Sequence, residues 1–194
     1  MVEGGRIDHG HHAGNAYRAL DETIAFADAV RVALERTSPD DTLIVVTADH
    51  GHTLTIAGYP KRGNPILGRV VGAMGEDKVS DTAVPDLTGR PYTTLGYANG
   101  PGYTGKSNAQ PEGPKHFPHV ARSFEGVTKG RPDLSTVDVT SPDYLQESAV
   151  ALGSETHGGE DVAIWARGPG AAAFHGTQEQ NFVYHAMAQA LGWD

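Results

Sequence analysis

Glu3-Gly4-Gly5-Arg6-Ile7-Asp8-His9-Gly10-His11-His12 gathers two carboxylates and three imidazoles into ten residues, loosened by three glycines. Carboxylate oxygens and imidazole nitrogens are the donors that zinc and magnesium select. Asp8 and His12 stand four apart, so a helix starting here sets them one turn apart on a common face, able to grip one ion. A solvated polar segment is the alternative, and the chain downstream bears on the choice. A ligand needs partners, and further candidates of the same chemistry follow, at Asp49-His50-Gly51-His52 and at His157.

The elements between them point to an α/β chain. From Asn15 to Arg36, Leu20, Ile24, Ala27, Val30 and Leu34 recur at helical spacing, with Asp21, Glu22, Asp28 and Arg31 facing elsewhere and Asn15 placed to cap the first turn. Ser38-Pro39-Asp40-Asp41 stops that helix. Thr42 to Thr47 is a continuous β-branched run, the pattern of a strand buried on both faces in a parallel sheet. Asp49, His50 and His52 directly follow it, where open α/β sheets place functional groups; a tight turn capped by Asp49 is the plainer alternative.

From Gly58 to about Asp133, glycine, proline and scattered charge replace apolar periodicity, with short strands expected at Val70-Val71 and Tyr92–Tyr97. The stretch from about 60 to 135 reads as a loop-rich insertion, and His116 and His119 as ordinary exposed loop histidines. Ser141-Pro142-Asp143 resembles a helix start and predicts a helix from Tyr144 to about Leu152. A strand over Val162–Ala166 and a final helix from Thr177 to about Leu191 complete the chain, with His175 and His185 structural.

The chain has 194 residues, enough for one ordinary domain with a real core. Its formal charge of −9 argues against a nucleic-acid partner. There is no cysteine, so any metal must be held by His, Asp and Glu. No signal peptide or membrane span is evident. Met1 stands just ahead of the densest ligand cluster, which leads us to expect a further part upstream.

The three motifs, Val2-Glu3-Gly4-Gly5-Arg6-Ile7-Asp8-His9-Gly10-His11-His12, Thr47-Ala48-Asp49-His50-Gly51-His52 and Glu155-Thr156-His157-Gly158-Gly159-Glu160-Asp161, resemble the metal motifs of the alkaline phosphatases, in order. Gly58-Tyr59-Pro60-Lys61-Arg62-Gly63-Asn64 and Phe174-His175-Gly176-Thr177-Gln178-Glu179-Gln180 resemble flanking segments of that family. The resemblance runs over essentially the whole chain and corresponds to the C-terminal part of the family's catalytic domain. It implies a partial three-layer α/β sandwich with a mostly parallel sheet flanked by helices and an exposed sheet edge, plus a crown-like insertion that includes Leu95 to Gly102 and serves dimer contact.

By position, the resemblance implies that Asp8, His12 and His157 hold one zinc, Asp49 and His50 part of a second, and Glu3 a magnesium. His52 would orient Asp8 through a hydrogen bond, and His9 would reach phosphate through water. The implied reaction is hydrolysis of phosphate monoesters through a phosphoserine, with two zinc ions and one magnesium, in an extracytoplasmic homodimer. The family's serine lies in an Asp-Ser-Ala context that none of this chain's serines has, and its phosphate-holding arginine and upstream aspartate have no counterpart here. A non-catalytic zinc-binding remnant or subunit is therefore the alternative. A related two-metal phosphatase, sulfatase or phosphodiesterase fits the motifs less closely, and a zinc protease is disfavoured because no His-Glu-x-x-His motif is present.

Overall fold

A computed structural model describes residues 1–73 and 79–193; residues 74–78, within the loop-rich stretch, lie outside the described residues. In chain order the elements are α1 (Gly5–His12), α2 (Ala16–Arg36), β1 (Ile44–Val46), β2 (Gly51–His52), β3 (Leu54–Ile56), β4 (Val71–Ala73), β5 (Val79–Ala83) and β6 (Leu95–Gly100). They continue with β7 (Lys115–His116), β8 (Tyr144–Leu145), β9 (Ser148–Ala151), β10 (His157–Gly158), β11 (Trp165–Arg167), a 3₁₀ turn (Ala171–Ala173) and α3 (Phe182–Ala190). The chain is mixed α/β and divides into two compact units, Met1–Thr23 with His52–His157, and Ile24–Gly51 with Gly158–Asp194.

The first unit is built on the turn between its two helical segments. Gly14, at φ +66°, ends α1 in the left-handed region that glycine enters at low cost. Its N–H donates to the His11 carbonyl (2.7 Å) and the Asn15 N–H to the Gly10 carbonyl (3.0 Å), the paired bonds that close a helix C-terminus. Asn15 is fully buried. Its Oδ1 accepts from the Arg18 N–H at 3.0 Å, capping α2, while its Nδ2 donates to the Pro142 carbonyl at 2.8 Å. Gly10 lets the two helical segments touch: a Cβ there would lie 2.7 Å from the Ala19 backbone nitrogen.

Against these helical segments lies a three-stranded sheet, β3–β6–β9. β6 runs antiparallel to β3 (Leu54 opposite Tyr97) and parallel to β9 (Tyr97 opposite Ser148). Leu95, Tyr97, Gly100, Pro101 and Gly102 are buried. Within the segment Leu95–Gly102, β6 is thus the middle strand of this sheet. The helix expected over Tyr144–Leu152 is instead two strands, β8 paired with β7 and β9 paired with β6. Its backbone groups are claimed from a distance: the Gln146 N–H donates to the Gly14 carbonyl (3.0 Å), and the Asp143 carbonyl accepts from the Phe117 N–H (2.7 Å).

A small core closes the end of the loop-rich stretch and the residues just after it. Leu134, Val139 and Tyr144 pack together with Val137, and the Arg69 guanidinium donates to the carbonyls of Leu134, Ser135 and Val137. Lys115 is fully buried. Its ammonium donates to the carbonyls of Pro111 (2.7 Å) and Gly113 (2.8 Å), and burial pushes its pKa down to about 8. His119 is buried too, which corrects the expectation of an exposed loop histidine: Ser107 Oγ lies 2.9 Å from its Nε2 and the Pro101 carbonyl 2.9 Å from its Nδ1. His116 is exposed, as expected.

In the second unit the Thr42–Thr47 run gives β1, which pairs antiparallel with β11, Ile44 opposite Arg167. Its three residues are half-buried, so neither the parallel pairing nor two-sided burial of this strand is found; β6 does pair parallel with β9. α3 forms within the expected final helix. Trp165, Tyr184, Leu191 and Trp193 remain exposed, each above 60%. No helix among the described residues is long and apolar enough to cross a membrane.

Candidate metal centre

Four of the sequence-predicted site residues, Asp8, His12, His52 and His157, meet inside the first unit. Asp8 and His12 lie one turn apart on α1, with His12 Nε2 3.2 Å from Asp8 Oδ1. That same oxygen is 3.0 Å from His52 Nε2 and 3.4 Å from His157 Nε2. His157 Nε2 is also 3.1 Å from His12 Nε2. One carboxylate oxygen is therefore faced by three imidazole nitrogens. Exposure is graded: His52 is largely enclosed, Asp8 and His12 are about one-third exposed, and His157 is about half exposed and opens the cluster to solvent.

The donor set fits a zinc ion by geometry. Ligands about 2.0 Å from a tetrahedral zinc stand about 3.3 Å from one another. Asp8 Oδ1, His12 Nε2 and His157 Nε2 are separated by 3.2, 3.4 and 3.1 Å. The protonation pattern agrees. His12 Nδ1 lies 2.6 Å from the Glu155 main-chain carbonyl, which only accepts, so the proton of a neutral ring is on Nδ1 and the Nε2 lone pair faces Asp8. An oxygen and a nitrogen converging with lone pairs forward are what a cation holds together.

Two participants went unremarked in the sequence. Glu155 is completely buried. Its Oε2 accepts from His52 Nδ1 (2.7 Å), and its Oε1 accepts from the Thr53 N–H (2.6 Å) and Thr53 Oγ1 (2.8 Å). The other is His11, whose ring stacks on His52 at 4.5 Å between centroids while its Nδ1 lies 2.8 Å from the Tyr97 hydroxyl. Burial first, and then the neighbouring His52, pushes the His11 pKa down to about 4, so it packs as a neutral ring. The spacing of His11 beside His12 and of Glu155 two before His157 was the available signal. A buried carboxylate and a stacked ring are tertiary facts, however, and spacing does not carry them.

The other expected residues are Glu3, His9, Asp49 and His50. Glu3 is exposed ahead of α1, and His9 is exposed on α1. Asp49 and His50 belong to the second unit, where Asp49 Oδ2 lies 3.4 Å from His50 Nε2, and the Asp49 carbonyl accepts from Gln180 Nε2 at 3.1 Å.

Chemically, Asp8 with its imidazoles is an oxygen–nitrogen group of the class that can hold a divalent cation. The family profile of alkaline phosphatase matches residues 1–193. The chain belongs to the alkaline phosphatase family. It is 44% identical over 190 residues, 98% of its length, to the tissue-nonspecific alkaline phosphatase of Gallus gallus, of which it covers 30%. It is 42% identical over 190 residues, again 98% of its length, to the alkaline phosphatase of Gadus morhua, covering 33% of it. Against the tissue-nonspecific isozyme of Homo sapiens the identity is likewise 42% over 98% of this chain and 30% of the relative. The chain thus spans about a third of the length of these relatives.

Proposed function

We propose that this chain supplies metal-holding residues of a phosphate monoester hydrolase of the alkaline phosphatase type. The observation that carries the proposal is the convergence of His12, His52 and His157 on Asp8 Oδ1 within 3.0 to 3.4 Å. Asp8, His12 and His157 would hold one zinc, Asp49 and His50 would contribute to a second, and Glu3 would bind magnesium. Zinc in such sites supplies Lewis-acid charge to the attacking and leaving oxygens of an in-line phosphoryl transfer.

The chain's own residues set the conditions for that chemistry. Asp8 brings the negative charge that neutral imidazoles lack. His52 stands between the two carboxylates, its Nε2 3.0 Å from Asp8 Oδ1 and its Nδ1 2.7 Å from Glu155 Oε2, and holds Asp8 in place. His157 leaves the cluster open on the solvent side, where a phosphate ester can approach, and His9 is proposed to reach phosphate through water. The reaction would pass through a phosphoserine whose serine lies outside this chain. The family's homodimer, its extracytoplasmic location, its crown-like insertion over about 60–135 and its three-layer sandwich with a mostly parallel sheet are carried over on the same proposal, this chain forming the family domain's C-terminal portion.

One observation favours a second reading. None of this chain's serines stands in an Asp-Ser-Ala context, which suits a zinc-binding subunit or remnant without turnover of its own. The two readings part in one assay, p-nitrophenyl phosphate hydrolysis with zinc and magnesium, with and without an added polypeptide that carries the missing serine. Hydrolysis that appears on addition and is lost in His157→Ala supports the first; zinc binding with no hydrolysis in either arm supports the second. Absence of zinc binding removes both.

A further inference from the structure

Glu155 touches two of the four converging side chains by two different groups. Its main-chain carbonyl takes His12 Nδ1 at 2.6 Å, and its side-chain Oε2 takes His52 Nδ1 at 2.7 Å. Three further bonds fix the residue itself. Its N–H donates to the His12 carbonyl at 2.9 Å, and its Oε1 is held by the Thr53 N–H and hydroxyl. Glu155 is also fully enclosed, and a buried carboxylate is retained only where its oxygens are occupied by donors.

We propose that Glu155 is a positioning residue of the metal centre: it places a proton on Nδ1 of both His12 and His52 and so turns the Nε2 of both rings toward Asp8. The inference rests on the metal-site reading above. Its logic is that of an outer carboxylate behind a metal-held imidazole, which fixes tautomer and ring orientation. Here one residue acts on two rings, one by backbone and one by side chain. A substitution at Glu155 therefore separates them. Glu155→Gln keeps size and leaves an acceptor for Thr53, but its amide N–H₂ faces His52 Nδ1 and cannot accept from it. His52 then carries its proton on Nε2, against Asp8, while His12 keeps its carbonyl partner and its tautomer.

The test uses the whole 194-residue chain labelled with ¹⁵N. Long-range ¹H–¹⁵N spectra of the imidazoles, recorded metal-free at mildly alkaline pH, read which ring nitrogens bear protons. Zinc affinity is measured separately by competition with a chromophoric chelator. The expected result is protonated Nδ1 at both His12 and His52 in the wild-type chain. In Glu155→Gln the proton should move to Nε2 at His52 alone, with zinc affinity weaker by about 10- to 100-fold. A wild-type His52 whose Nδ1 is proton-free overturns the proposal, as does a folded Glu155→Gln with unchanged affinity. Should that variant fail to fold, the wild-type ring spectrum still decides. Should the wild-type chain bind no zinc, the metal-site reading falls, and the ring spectra still say whether Glu155 sets the two tautomers.

Discussion

At the residue scale, Asp8 matters more than any single histidine, because its Oδ1 is the atom that three imidazoles share. Removing it leaves nitrogen donors crowded together without the charge that a divalent ion needs. Asp8→Ala should lower zinc affinity by more than about 100-fold, beyond the 10- to 100-fold loss usual for residues behind the ligands. His52→Ala should fall within that lower range, since His52 touches Asp8 and Glu155 while standing behind the pair. Both losses can be read by chelator competition. An equal loss in the two variants would place His52 among the ligands; no loss at His52 would remove its orienting role.

Among the elements, α1 was legible in the spacing of Asp8 and His12, and α2 in its apolar periodicity and Asn15 cap. Tyr144–Leu152 was misread because Ser141-Pro142-Asp143 has the local chemistry of a helix start, whereas Gly14 and Phe117 take its backbone partners. The same distance effect hid His119 and Glu155: burial is set by what arrives from elsewhere in the chain. The α1–α2 contact is equally invisible locally, and it can be tested. Gly10→Ala improves helix propensity by up to about 1 kcal/mol. It also drives a methyl into the Ala19 backbone, with contacts of 2.7 and 2.9 Å that cannot relax by turning a side chain. Overpacking of this kind costs about 1–3 kcal/mol, so the urea midpoint should fall, and a rise would show that the helices separate easily.

A second element-scale prediction concerns acid. Asp86 ties a loop to the rest of the insertion: its carboxylate takes the Thr88 hydroxyl and the Arg90 N–H, and pairs with Arg131, which also reaches Glu147. These bonds, Thr88 first, hold its carboxyl well below the usual range. A carboxylate of lowered pKa contributes stability that is complete above its unfolded value of about 3.9 and declines as the pH falls below it. Asp86→Asn should therefore lower stability at neutral pH and flatten its decline below about pH 4, as followed by urea unfolding across that range. An unchanged slope would show that the network carries no proton linkage.

For the whole molecule, the enclosed apolar side chains are concentrated in the first unit, where Tyr97, Leu134 and Tyr144 are buried, while Trp165 and Trp193 of the second stand exposed. Zinc that binds only the folded chain should add about 2.7 kcal/mol of stability when free zinc is 100-fold above its dissociation constant. The unfolding midpoint should rise with zinc, return to the metal-free value on chelation, and no longer respond in His12→Ala. A response retained in that variant would move the ion elsewhere. His12 and His157 are 145 positions apart, in a chain with no cysteine. An ion bridging them acts as a detachable knot across most of the polypeptide, and loop closure of that length would forbid unfolded conformations worth up to about 5 kcal/mol. Where an oxidised protein relies on sulfur to fasten distant segments, this one would be fastened or released by the availability of a metal.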